Sequence, residues 1–192
     1  VPASRQQIDP RHPAIERYLE RPRPARTVAR LDAIFFDASA TQSFADEAAR
    51  AAFRERWLGR YLTHDAQHAY LAVVDPGGEQ EDLAGYLVGS LDDPAKAARF
   101  SDLGYFRAMA HLTCRYPAQL HINLASEWRG QGVGRALVGA FCAHAEEAGV
   151  PGVHVFTSRG MRNVSFYAAC GFSEVGSCIW NGREILMLGR SL

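Results

Sequence analysis

The sequence predicts an α/β domain in which helices pack on one mixed β-sheet, and three observations carry that expectation. An apolar stretch with Leu120, Ile122 and Leu124 runs into Arg129-Gly130-Gln131-Gly132-Val133-Gly134 and then into an amphipathic run that continues to Gly149. A β-rich run over 152–157 follows, so strand, helix and strand make a right-handed crossover whose two strands are parallel neighbours. Two further pairs of β-rich runs flank Asp75-Pro76-Gly77-Gly78 and Asn181-Gly182, which are hairpin signals and imply antiparallel pairing.

Residues 1–30 are rich in Arg and Pro and read as an N-terminal arm ahead of one domain over 31–192. Arg21-Pro22-Arg23-Pro24 cannot continue a helix, because proline lacks an N–H and restricts the residue before it. Ile15, Tyr18 and Leu19 fit one short helical turn before that break. The arm is either a partner-binding extension or a solvated one lying along the domain or against a second subunit, as in a homodimer. Residues 31–36 form an apolar run that periodicity assigns to neither helix nor strand. Ser43 with Asp46 resembles a capping signal, and Ala49, Phe53, Trp57 and Tyr61 then line one helical face.

The runs over 69–74 and 83–91 read as the first hairpin, and 92–116 as an irregular helical connection between strands, a common place for substrate sites. Gly149-Val150-Pro151-Gly152 closes the long helix. Residues 175–180 and 184–188 form the last hairpin.

Bulk properties narrow the function classes. A chain of 192 residues with 47% hydrophobic and 22% charged residues suits one soluble domain with a single sizeable core. Formal net charge is zero, so nothing pulls the protein toward nucleic acid or anionic lipid. Cys114, Cys142, Cys170 and Cys178 show no CxxC pair, and reduced thiols in a cytoplasmic protein are the simplest reading. No apolar run approaches the ~20 residues of a membrane span, and the histidines lack metal-like spacing, so neither membrane nor metal is expected.

The glycine-rich turn before a helix start is an anion cradle, since flexible backbone and unpaired N–H groups of the first helical turn converge on a guest such as phosphate or pyrophosphate. A dinucleotide fingerprint fails in both registers: counting from Gly130 puts Arg135, and from Gly132 puts Leu137, where glycine is required. A Walker loop needs a lysine, and the single lysine is the distant Lys96. What remains is R-x-x-G-x-G, with Arg129, Gly132 and Gly134 in the fixed places.

That pattern resembles the acyl-CoA-binding turn of the GNAT N-acetyltransferase superfamily. Leu120-His121-Ile122-Asn123-Leu124 looks like the strand before that turn, and Asn163-Val164-Ser165-Phe166-Tyr167-Ala168-Ala169-Cys170-Gly171-Phe172 looks like the family's later helix. Together the motifs cover residues 118–192, with a weaker likeness upstream. Residues 116–123 and 149–154 are similar to the subgroup containing the acetyltransferase-like domain attached to O-GlcNAcases.

The resemblance implies a GNAT-like fold: a central sheet of six to seven strands flanked by helices, with one parallel pair splayed at the cofactor site. It also implies an N-acetyltransferase using acetyl-CoA, whose pyrophosphate the amides of Gln131, Gly132, Val133, Gly134 and Arg135 hold. Arg129 either neutralises phosphate or supports the turn.

Amide formation from a thioester needs a neutral amine, whereas a lysine-like amine has a pKa near ~10.4, so a proton acceptor is required. A backbone N–H must stabilise the oxyanion, and an acid must meet the leaving thiolate. By the resemblance the N–H is that of Leu124 and the acid is Tyr167, four residues before Gly171. Asn163 sits four residues before Tyr167, where the family carries asparagine seven before, at the position held here by Gly160. Asn163 therefore either reaches the cofactor or caps the helix, and Ser165 is a weaker candidate for the same contact.

Alternation puts His121 and Asn123 on one strand face, so His121 either faces the acceptor as base or water relay or is a structural histidine. Trp57, Tyr61, Tyr105, Phe106 and Trp180 either frame an aromatic acceptor pocket or belong to the core. The leading expectation is acetyl transfer to a primary amine by direct attack in a ternary complex. The rival is a catalytically silent acyl-CoA-binding or interaction module, and a third option is another donor such as succinyl-CoA. Small molecules and peptides bearing an amine all satisfy the chemistry of the acceptor.

Overall fold

The computed structural model describes residues 12–20 and 22–192. Residues 1–11 and 21, part of the expected arm, lie outside the described ones. The remainder of that segment is built into the domain. Ala14–Arg17 forms an edge strand, β1, rather than the expected helical turn. A single turn is a poor helix nucleus, whereas an extended segment gains ladder bonds to a neighbour.

Helix α1 (Ala25–Ala38) takes in the unassigned apolar run. Its buried residues Thr27, Leu31, Ile34 and Phe35 recur at helical spacing once the count starts before that run. Helix α2 (Glu47–Arg54) is capped by Asp46, whose Oδ1 accepts from the Ala49 N–H at 2.7 Å, so Asp46 and not Ser43 is the cap. A π-helical turn (Glu55–Gly59) then leads into α3 (Arg60–His64), which buries Tyr61 completely.

The hairpin of β2 (Tyr70–Val74) and β3 (Asp82–Ser90) follows. Short helices α4 (Gly104–Ala108) and α5 (Ala110–Thr113) occupy the irregular connection, ahead of β4 (Ala118–Leu124). The crossover consists of β4, α6 (Val133–Glu147) and β5 (Gly152–Ser158). Helix α7 (Asn163–Ala169) and the hairpin of β6 (Ser173–Trp180) and β7 (Arg183–Ser191) complete the fold. Asn181 and Gly182 both adopt positive φ, at 48° and 71°, which a two-residue hairpin loop of this type demands.

All seven strands form one sheet in the order β1-β2-β3-β4-β5-β7-β6. Every pair is antiparallel except β4–β5. One face packs on α6 and α7 through Leu137, Phe141, Val155 and Tyr167. The other packs on α1, the α2–α3 run and α4 through Ile34, Leu58, Tyr86 and Phe106. The expected fold class, a mixed sheet flanked by helices with one parallel pair, is the observed one. Among the described residues no helix is long and apolar enough to cross a membrane.

Candidate functional site

The site begins where the parallel pair stops. β4 and β5 are in register only at Ala118 with Val153 and Gln119 with His154, and beyond that point the strands part. Residues 121–124 are half-buried on both faces although β4 is a central strand, so the opening is a cleft through the sheet.

The ladder to β3 determines which backbone groups face the cleft. The Ala125 N–H donates to the Ala84 carbonyl at 3.0 Å, and Leu124 pairs with Gly85. Bonded pairs alternate along an antiparallel ladder, so Asn123, His121 and Gln119 bond toward β3. Ile122 and Leu124 therefore direct their N–H groups to the β5 side, where no strand meets them.

The glycine-rich turn closes one end of this opening. Gly130 and Gly132 have φ of 76° and 84°, and a Cβ at either would meet nothing within 4 Å, so the backbone there is both left-handed and open to a ligand. Gly132 precedes α6, and its carbonyl accepts from Ala136 at 3.1 Å. The N–H groups of Gln131, Gly132, Val133, Gly134 and Arg135 donate to no group among the described residues. The Gln131 side chain bonds the Glu127 carbonyl at 2.5 Å, and Arg129 donates from Nε and Nη2 to the Leu124 carbonyl, each at 3.3 Å. Arg129 thus ties the turn to the strand end.

A Cβ at Gly134 would lie 3.0 Å from the Phe166 ring and 3.3 Å from Leu124 Cδ1. The strand end, the turn and the α7 motif, separated in sequence, therefore converge. Tyr167, beside Phe166, is 6% exposed, and burial raises its hydroxyl pKa. That hydroxyl bonds none of the described residues, yet it is not an enclosed atom. Asn163 accepts from Thr157 Oγ1 at 2.8 Å and does not cap α7, because the cap position belongs to Arg162. Ser165 is turned back on the helix start, donating to the Arg162 carbonyl at 3.1 Å. Cys170 is buried, and burial pushes its thiol pKa up.

The opposite face of β4 carries His121, as alternation predicts. Its Nε2 lies 3.0 Å from the Tyr61 hydroxyl, and its ring meets Trp57 edge-on with centroids 5.4 Å apart. The Tyr61 hydroxyl in turn donates to Gln119 Oε1 at 3.2 Å. Burial, then His154 and Arg60, lowers the His121 pKa to about 4, so the ring is neutral at neutral pH. His154 is fully buried and likewise lowered to about 4 by burial, against the raising effects of the Tyr116 carbonyl, Asp93 and the Ala118 carbonyl. Asn123 donates to the Tyr86 hydroxyl at 2.7 Å.

Of the aromatic residues considered for an acceptor pocket, Tyr61, Tyr105 and Phe106 are core, while Trp57 and Trp180 are half-buried. Gln119 escaped the sequence reading, since a lone glutamine in a strand carries no signal of its partners. Among the described residues no three His, Cys, Asp or Glu side chains converge as a metal site.

The sequence profile described as the acetyltransferase (GNAT) family matches residues 28–172. No curated protein matches the chain. Among solved structures, SsHAT is similar over 93% of this chain and 98% of its own, at 24% identity and a TM-score of 0.68. A ribosomal-protein-alanine N-acetyltransferase from Brucella melitensis shares 19% identity over 93% of this chain and 99% of its own, with a TM-score of 0.56. The NatC complex bound to Gag peptide and CoA contains a chain with 15% identity, covering 88% of this chain and 92% of that one, with a TM-score of 0.57. At these identities the likeness is one of fold.

Proposed function

Since the chain belongs to the GNAT acetyltransferase family, we propose that it moves acetyl from acetyl-CoA to a primary amine by direct attack in a ternary complex. The observation that carries this reading is the convergence of Leu124, Gly134 and Phe166 at the mouth of the β4–β5 opening. Acetyl-CoA fits the residues present. A pyrophosphate needs several donors at close approach, and the unpaired amides of Gln131, Gly132, Val133, Gly134 and Arg135 beside the open φ-positive glycines offer them. When bound, acetyl-CoA supplies a thioester carbonyl activated toward amines.

The chain's own groups then divide the work. Gly130 and Gly132 keep the turn open, and the amides up to Arg135 hold the pyrophosphate. Arg129 supports the turn through the Leu124 carbonyl. The Leu124 N–H, directed into the cleft, donates to the thioester oxygen as charge builds there. Tyr167, kept protonated by burial, donates toward the departing sulfur. Asn163, anchored through Oδ1 to Thr157, keeps its amide N–H groups for the cofactor. On the acceptor side the neutral ring of His121 takes the amine proton. Because that ring titrates near 4, the rise of kcat/KM above pH 5 follows deprotonation of the acceptor amine.

The same low basicity is the observation that favours a silent acyl-CoA-binding module, since a weak acceptor lowers the drive for proton transfer. Incubation with acetyl-CoA and a panel of amines, read by release of CoA thiol, separates the two. Turnover supports the transferase, whereas cofactor binding without thiol release from any amine selects the silent module. Tyr167→Phe is expected to lower kcat by about a hundredfold with the acetyl-CoA affinity unchanged. An unchanged kcat removes Tyr167 from the chemistry.

A further inference from the structure

A buried polar row crosses the sheet beneath the cleft. Gln119 on β4 and His154 on β5 stand at the same register, so their side chains share a face, and they are 3% and 0% exposed. Gln119 Nε2 and His154 Nε2 are both enclosed and have no hydrogen-bond partner among the described residues. Tyr61 Oη stands one row above, bonded to both Gln119 and His121.

We infer that Gln119, acting through Tyr61, holds His121 in its Nε2–H tautomer and thereby presents the Nδ1 lone pair to the acceptor side of the cleft. Gln119 and Tyr61 are positioning residues on this account. The inference rests on the proposed reaction only for the use made of that lone pair.

The bond directions follow from two groups that can only accept, the Tyr116 carbonyl and Gln119 Oε1. His154 Nδ1 is bonded to the Tyr116 backbone carbonyl, so Nδ1 carries the proton and Nε2 is left as a lone pair.

Gln119 offers Oε1 to the Tyr61 hydroxyl at 3.2 Å, and an amide oxygen only accepts. The Tyr61 hydroxyl commits its single proton to that oxygen, so toward His121 its oxygen is an acceptor. His121 Nε2 must then be the donor. Its Nδ1 bonds none of the described residues and, unlike the two Nε2 atoms below, is not enclosed. A group that must accept an amine proton needs a lone pair at that atom. The Nδ1–H tautomer would instead confront the amine with an N–H.

Histidine-selective 15N labelling of the full chain, with long-range 1H–15N correlation spectra at pH 7, reads the tautomer directly. The seven histidines are reduced to the relevant signals by comparison with His121→Gln and His154→Gln. The expected wild-type result is His121 solely as Nε2–H and His154 solely as Nδ1–H. In Tyr61→Phe and in Gln119→Met the His121 signals are expected to become those of a mixture. With an amine acceptor in hand, kcat of both variants falls about tenfold with the KM for acetyl-CoA unchanged.

His121 found as Nδ1–H in the wild type overturns the inference, with no variant needed. So does an unaltered His121 tautomer in a folded Tyr61→Phe or Gln119→Met protein. Acetyl transfer by a protein whose His121 is Nδ1–H sinks the inference and leaves the proposed function standing. The Nε2–H tautomer without turnover on any amine does the reverse.

Discussion

The two sides of the β4–β5 cleft are built from different materials. The side proposed to hold the donor consists of backbone: amides of the glycine-rich turn and first turn of α6, with the Leu124 N–H directed by ladder geometry. The side proposed to meet the acceptor consists of side chains brought from far apart, Tyr61 meeting His121 across 60 positions and Gln119 across 58. A backbone cradle needs only the right φ and a helix start, and glycine spacing encodes both. A side-chain wall needs the whole fold to be assembled first. The donor side is thus a local device, and the acceptor side a product of packing.

The largest expected effect that separates the two sides is acid sensitivity. His121 and His154 are lowered from the ordinary 6.5 to about 4, with burial as the leading cause. Between those values the unfolded chain binds protons that the folded one refuses, so stability is complete above about pH 6.5 and is lost as pH falls toward 4. Each ring contributes on the order of 3 kcal/mol across that window. His68 and His144, also lowered chiefly by burial, act in the same direction. Urea unfolding at pH 7, 5.5 and 4.5 is expected to show a steep loss that His121→Gln makes shallower. An equally steep loss in that variant would mean that the His121 ring does not resist protonation.

The donor side is broken by conformation instead. Gly132→Val forces a β-branched residue into a φ of 84°, at a cost of about 1–3 kcal/mol, and crowds the open space before α6. Calorimetric titration with acetyl-CoA is expected to show affinity about a hundredfold weaker, roughly 2.7 kcal/mol. The His121 tautomer signals should not change, because the acceptor wall shares no backbone with the turn. Unweakened binding would remove the amides of this turn from the donor site.

These differences also explain what could be read in advance. The crossover, both hairpins and the glycine-rich turn were legible because each depends on residues within a few positions of one another. Leu124 and His121 fell on the expected faces because strand alternation fixes them. Residues 31–36 could not be assigned, since the helix shows its period only from Thr27 onward. β1 was misread because an edge strand is selected by its neighbour and not by its own pattern. Gln119 was invisible, its role arising from Tyr61, which only the α2–α3 run brings beside it.

The smallest expected effect tests how firmly the wall is held. Trp57 lies in the π-helical turn and Tyr61 in α3, both continuous with α2, whose first turn is pinned by the Asp46 carboxylate at 2.7 Å from the Ala49 N–H. Loss of such an exposed cap costs about 1 kcal/mol, and Asp46→Ala should lower unfolding stability by that amount. Fraying spreads inward from a helix end, whereas Leu58 and Tyr61 are fully buried two turns and more beyond it, so the disturbance should end before it reaches them. The His121 tautomer is therefore expected to stay purely Nε2–H in Asp46→Ala, with kcat within twofold of the wild type. A mixed tautomer in this variant would show that the wall depends on the helix start and that packing around Tyr61 is not sufficient to hold it.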